Sequence, residues 1–251
     1  MAPILATHKG IIVSDLHIGG GGPGDDFLPL EKTFLRLLSY ADLHNFPLIL
    51  NGDIFEFWQF SAKEIVRAHG AVFSALKAFR ERGMVHLIAG NHDAEIAVFA
   101  PLLGHLVFEH LVVDAGGLML YVEHGHRFDS LNRNPGWWQR SLSKLAGKLE
   151  RIHPNIDNIP RYSAARDGFK GDPYWEAARG ILENSPYDVV VFGHTHQEGE
   201  EAMKVSIRGD GKVVKRYINS GSWTGKRGMA VVFDKNRVYL APNVKRKGSP
   251  L

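Results

Sequence analysis

Short apolar runs that each stop at a polar turn constrain this chain more than any other feature. They are GIIVSD at 10–15, PLILNGD at 47–53, MVHLIAGNHD at 84–93, LMLYVEHGH at 118–126 and YDVVVFGHTH at 187–196. Continuous β-branched and leucine-rich runs of this length read as strands buried on both faces. Helical patterns separate the first three. One covers 30–45 through Phe34, Leu35, Leu37, Leu38 and Ala41; the next covers 61–82, opened by a Ser61/Glu64 capping box and stopped at Gly83. Such alternation implies right-handed crossovers and a largely parallel sheet. From residue 105 onward the pattern turns to hairpins: LVFEHLVVDAGGLMLYVEH, KVSIRGDGKVVKRYINS around a GDG turn, and MAVVFDKNRVYLAP. The expected fold is a layered α/β sandwich with a mixed second sheet.

At 251 residues the chain is long enough for one large core, and residues 1–251 read as a single domain. Residues 127–186 interrupt the alternation and read as an inserted helical cap. Within it Trp138, Leu142, Leu145 and Leu149 share one helical face and Arg140, Lys144, Lys148 and Arg151 the other. Asp172-Pro173 opens a further helix running to 184. Residues 245–251 read as a basic tail. No run of 18 apolar residues occurs, and no charged region precedes the first short apolar stretch, so neither a membrane span nor a signal peptide is supported. The expected location is the cytoplasm, extending to the periphery of the inner membrane face.

Five polar clusters sit at the ends of expected strands: Asp15-x-His17, Gly52-Asp53, Gly90-Asn91-His92-Asp93, His124-Gly125-His126 and Gly193-His194-Thr195-His196. Loops at the carboxyl ends of parallel strands line one crevice, so these clusters should meet. The chain has no cysteine, so a metal there must be held by nitrogen and oxygen. Histidine mixed with carboxylate and amide suits manganese, iron, zinc or nickel rather than calcium, which takes oxygens alone. The clusters offer more donors than the three or four protein groups of a single open site, and a carboxylate such as Asp53 can bridge, which points to two ions. The glycine run after His17 does not match the phosphate-cradling G-x-x-x-x-G-K-[ST] pattern. Gly19 reads as a turn past the site, and Asp25 and Asp26 as helix starts or solvent-facing residues.

The order D-x-H, G-D, G-N-H-D, H, G-H-x-H resembles the calcineurin-like metallophosphoesterase superfamily from residue 11 to about 235. That resemblance implies a four-layer α/β/β/α sandwich with two mixed sheets and a helical cap. It implies that Asp15, His17 and His196 hold one metal, that Asp53 bridges, and that Asn91, His124 and His194 complete the second. It also implies two divalent ions, manganese first with iron, zinc, nickel or cobalt fitting the same donors, and a metal-bridging hydroxide as nucleophile. His92 is then placed as general acid, with Asp93 fixing its tautomer. Asn91, His92, His126, Arg127 and Arg133 are candidate substrate contacts.

GDIFEFW at 52–58, NSGSW at 219–223 and the insertion between EHGH and GHTH are similar to the UDP-2,3-diacylglucosamine pyrophosphatase branch. Those enzymes typically read GNRD, HGD and GHTHRP where this chain reads GNHD, HGH and GHTHQE. The expectation is therefore a related phosphohydrolase of altered or broader specificity, acting on a phosphodiester, phosphomonoester or pyrophosphate. Its partner is a small-molecule or lipid-linked phosphate ester, with peripheral membrane contact through the cap and the oligomeric state open. A nuclease or general phosphodiesterase of the same fold is the alternative, and a scaffold without chemistry a third. Net charge is only +3, and six Lys/Arg against two acids gather at 127–151, in the cap rather than along a groove, which disfavours a nucleic-acid partner.

Overall fold

The structure is a computed structural model and describes residues 3–92, 107–128, 172–207, 211–225, 227–235 and 237–242. In chain order these form β1 (Ile4–Ala6), β2 (Lys9–Val13), α1 (Glu31–Leu43), β3 (Leu48–Asn51), α2 (Ala62–Ala68), α3 (Gly70–Glu81), β4 (Val85–Ile88), β5 (Val107–Phe108), β6 (His110–Asp114) and β7 (Met119–Glu123). They continue as α4 (Pro173–Glu183), β8 (Val189–Phe192), β9 (Gly199–Ile207), β10 (Gly211–Asn219), β11 (Met229–Asp234) and β12 (Arg237–Pro242).

Two six-stranded sheets result, ordered β12-β11-β2-β3-β4-β5 and β1-β6-β7-β8-β10-β9. Both are mixed. The first is parallel from β2 to β5, with β11 and β12 antiparallel at its edge. The second runs parallel through β7, β8 and β10, and its β6–β7 and β9–β10 pairs are antiparallel.

The strand runs fold as they do because each residue meets a different apolar layer from its neighbour. Ile11, Val13, Leu48, Leu50, Val85 and Leu87 pack toward the helices of the first sheet, with Phe34, Leu37 and Leu76. Ile12, Ile49 and Ile88 turn the other way and meet Val122, Val191 and Ile218 between the sheets. Val190, Phe192 and Tyr121 face outward from the second sheet and are covered by Tyr174, Ala178 and Leu182 of α4. The layers are therefore α/β/β/α, as the motifs implied. The α4 helix starts where expected, with the Asp172 carboxylate accepting the Trp175 N–H at 2.6 Å. It belongs to the outer layer of the sandwich. The rest of the expected cap, including its amphipathic 136–150 stretch, and the 245–251 tail lie outside the described residues.

Two expectations change. The 61–82 pattern is two helices broken at His69, although its capping box is present and Gly83 follows with φ +68°. His69 is fully buried, its Nε2 2.7 Å from Asp25 and its Nδ1 3.2 Å from Glu31. Helical periodicity runs through this point, but a buried imidazole claimed by two carboxylates fixes a bend there. Asp25 accordingly faces inward, and also accepts the N–H groups of Gly21, Phe27 and Leu28. Secondly, the stretch from 105 is not a simple hairpin: Val107–Phe108 pair with β4 in the first sheet before the chain crosses into β6.

Candidate metal centre and active site

The strand-end turns are tied to one another by backbone bonds. Asp15 N–H donates to Gly52 O at 3.0 Å, His17 N–H to Asp53 O at 3.0 Å, and Gly193 N–H to His124 O at 3.1 Å. The NSGSW segment adds further ties, Asn219 Nδ2 to Gly193 O at 2.9 Å and Trp223 N–H to Asp15 O at 2.9 Å. The approach is close enough that a Cβ on Gly52 would overlap the His124 ring, one on Gly90 the Asp53 carboxylate, and one on Gly193 the side chains of Ser14 and Asp15.

Five of the expected ligands hold left-handed backbone: Asp15 (φ 53°), His17 (46°), Asp53 (50°), His194 (68°) and His196 (58°). Each such residue costs about 1–2 kcal/mol outside glycine. Strain of this kind persists where surrounding structure enforces it, and it gathers at functional sites. Here it turns each side chain off the end of its strand toward the same place.

One cluster brings together Asp15 Oδ1, His17 Nε2 and His196 Nε2. Their separations are 3.9 Å for His17 to Asp15, 3.3 Å for His196 to Asp15 and 3.2 Å between the two rings. Ligand atoms about 2.1 Å from one tetrahedral ion stand roughly 3.4 Å apart, so these donors are spaced to share a cation. A second cluster joins Asp53, His124 and His194, with His124 Nε2 3.2 Å from Asp53 Oδ2. Asp53 Oδ2 also lies 3.9 Å from His17 Nε2, so this oxygen stands between the clusters.

The opposite atoms of these groups are fixed. Asp53 Oδ1 accepts the His92 N–H at 2.8 Å and Asp15 Oδ2 the His194 N–H at 3.0 Å. His124 Nδ1 donates to Asn51 O at 2.9 Å, which leaves Nε2 for the cluster. Asp15 Oδ1, Asn91 Oδ1 and His124 Nε2 are sealed from water without an aligned hydrogen bond among the described residues. Buried polar atoms are normally satisfied, so this arrangement of orphaned donor atoms fits bound cations.

The charges follow from these contacts. Burial opposes ionising Asp15, yet His124 and His196 outweigh it and hold the acid at about 2. Asp53 is likewise held well below the usual range against its burial, chiefly by His124 and His92. Burial disfavours protonated His124, but Asp53 and Asp15 push it up to about 10. The opposite happens at His126, where burial and then His124 push the ring down to about 4.

Glu56 is a site residue that the strand-end pattern missed. It is buried, with Oε2 2.8 Å from His17 Nδ1 and its two oxygens 3.0 and 3.1 Å from His92 Nδ1. Burial raises its pKa, but His92 and His17 win and hold it at about 2. Trp58 stacks flat on His92, centroids 3.7 Å apart. Both residues lie in GDIFEFW, and the only signal in the chain was an acid three positions after Asp53.

Of the other expected contacts, His126 lies against the second cluster, its ring centroid 5.5 Å from that of His124. Arg127 is half-exposed and held elsewhere: its Nε is 2.6 Å from Glu123, and its Nη2 donates to Tyr121 OH at 3.2 Å. Tyr121 belongs to the outward layer of the second sheet, so the arginine is drawn toward that face. Asp93 and Arg133 lie outside the described residues. No helix among the described residues is long and apolar enough to cross a membrane.

A model of the calcineurin-like phosphoesterase family matches residues 9–198. A UDP-2,3-diacylglucosamine hydrolase of Bordetella pertussis is 27% identical over 224 residues, covering 82% of this chain and 83% of the relative. One of Chromobacterium violaceum is 23% identical, covering 95% and 99%. Among solved structures, YfcE, a phosphoesterase from E. coli, aligns with TM-score 0.46 at 18% identity, over 90% of this chain and 88% of its own.

Proposed function

Since the chain belongs to the calcineurin-like phosphoesterase family, we propose that it is a hydrolase working with two divalent ions on a phosphate ester or diphosphate. Asp15, His17 and His196 would hold one ion, and Asn91, His124 and His194 the other, with Asp53 shared. Manganese is the first candidate. Ions so held supply Lewis-acid polarisation of a phosphoryl group and a water acidic enough to attack at neutral pH. The observation that carries the reading is the position of Asp53 Oδ2, 3.2 Å from a nitrogen of one cluster and 3.9 Å from a nitrogen of the other.

The chain's own residues then divide the remaining work. Glu56 accepts from Nδ1 of His92 and so fixes its tautomer, with Nε2 as the nitrogen that would give a proton to the departing oxygen. Asn91, whose buried amide oxygen has no hydrogen-bond partner among the described residues, would complete the second cluster. Resemblance to the UDP-2,3-diacylglucosamine hydrolases, at 23–27% identity, supports a lipid-linked nucleotide diphosphate as the substrate class. A histidine after Asn91 and another after Gly125 support a specificity that departs from theirs and extends to simpler esters.

The test is turnover of p-nitrophenyl phosphate, bis(p-nitrophenyl) phosphate and a nucleotide diphosphate sugar by Mn²⁺-loaded protein, with ions counted by mass spectrometry. The wild-type chain should hold two ions and cleave at least one substrate, and Asp53→Asn should abolish both properties. Failure of all three substrates, with Asp53→Asn indistinguishable from wild type, overturns the reading.

A further inference from the structure

His126 opens the short 3-10 turn His126–Phe128 behind β7. Its ring lies against the second cluster, 5.5 Å from that of His124 and 6.4 Å from that of His194 between centroids. Its Nδ1 is sealed from water and has no hydrogen-bond partner among the described residues. Three nearby rings differ in this respect. His124 commits its Nδ1 to Asn51 O, and His17 and His92 commit theirs to Glu56. His126 also stands apart from the trio of ligand atoms formed by Asp53, His124 and His194. His126 as a whole is only partly buried, so an imidazole whose Nδ1 is uncommitted beside a cation site can turn to meet a group that arrives with the substrate.

Resting on the phosphohydrolase reading, we propose that His126 is a substrate-contacting residue that donates an N–H to a non-bridging phosphoryl oxygen and so favours phosphomonoesters over phosphodiesters. The imidazole carries at least one N–H in either protonation state, so the contact does not depend on its charge. A monoester dianion spreads two charges over three non-bridging oxygens, whereas a diester carries one charge over two. Hydrogen bonds to charged acceptors strengthen with that charge, so one extra donor rewards the monoester more. Arg127, the adjacent cation, is drawn to Glu123 and Tyr121, which leaves the contact to the histidine.

The experiment compares wild type, His126→Leu and His126→Asn, all loaded with Mn²⁺, on p-nitrophenyl phosphate and bis(p-nitrophenyl) phosphate, together with calorimetric binding of inorganic phosphate. His126→Leu should lose about tenfold in kcat/KM on the monoester and a similar factor in phosphate affinity, while the diester changes by less than about threefold. His126→Asn, whose amide reaches near the Nδ1 position, should recover most of both losses. Equal losses on the two substrates, unchanged phosphate affinity, or a His126→Leu chain that fails to hold its ions would each overturn the proposal. Should wild type cleave neither ester, the phosphohydrolase reading fails separately, and the phosphate titration still decides for or against the contact.

Discussion

Glu56 Oε2 lies 2.8 Å from His17 Nδ1, and the same carboxylate reaches His92 Nδ1 at 3.0 Å. One acid therefore sets the tautomer of a proposed metal ligand and of the proposed general acid together. Glu56→Gln keeps the shape but removes the negative charge that strengthens both contacts, and its single oxygen would have to serve the two rings alone while its NH2 faces a donor. Partners of this kind typically contribute about 10- to 100-fold to metal affinity or activity. We expect a loss of that size in kcat, with weaker Mn²⁺ binding on the Asp15–His17–His196 side. Steady-state kinetics and metal titration of the variant check both, and an unchanged kcat would reduce Glu56 to a packing residue.

Gly90 lies against Asp53 so closely that a Cβ would overlap Oδ1, the oxygen that accepts the His92 N–H. Gly90→Ala should push the shared carboxylate off its position. Overpacking of this kind costs about 1–3 kcal/mol, and here it should also remove most of the activity. Thermal melting and turnover measure the two effects separately. A variant melting and turning over like wild type would show that the loop yields without moving Asp53.

The strand-end clusters were legible because the chemistry that places them is local: an apolar run ends, a glycine follows, and Asp53, Asn91 or His194 comes next. The layers were legible for a similar reason, since residues such as Ile11, Ile12 and Val13 alternate between two apolar faces. What escaped depends on contacts across the fold. Nothing near Glu56 shows that it will lie beside residues 39 and 36 positions away. His69 sits inside an unbroken helical period and is claimed by Asp25 from 44 positions away. Arg127, a candidate phosphate contact by sequence, is also paired with Glu123 at the end of β7, which nothing in the sequence around it signals.

The His69 contact predicts a pH dependence of stability. Burial disfavours the charged ring, but Asp25 and Glu31 outweigh it and raise its pKa above 6.5. A raised value means that the folded chain holds the proton more tightly than the unfolded chain does. The stabilisation is therefore complete below about pH 6.5 and is lost as pH rises through the folded value. His69→Gln removes the cation between two carboxylates and should cost about 3 kcal/mol at pH 6, the usual scale for breaking a buried pair. Its penalty should shrink toward pH 9. Melting curves of the two chains between pH 6 and 9 give the answer, and a penalty that does not vary with pH would show that the network acts through packing alone.

Metal uptake should release protons. Without an ion, Asp53 and Asp15 overcome the burial of His124 and keep it protonated up to about pH 10, although its Nδ1 already donates to Asn51. The proton to be displaced is therefore on Nε2, the atom beside Asp53 Oδ2. A ligand nitrogen cannot hold a proton and an ion together, so binding at the second cluster must expel it. The sign is fixed: apparent Mn²⁺ affinity should rise with pH through the neutral range, by up to about tenfold per unit for one proton. Calorimetry in buffers of different ionisation enthalpy should register about one proton released per ion at that cluster near pH 7. His124→Asn keeps a neutral ligand of similar reach without a titrating nitrogen, and its residual Mn²⁺ affinity should be much flatter with pH. Equal pH slopes for the two chains would mean that a different group carries the proton.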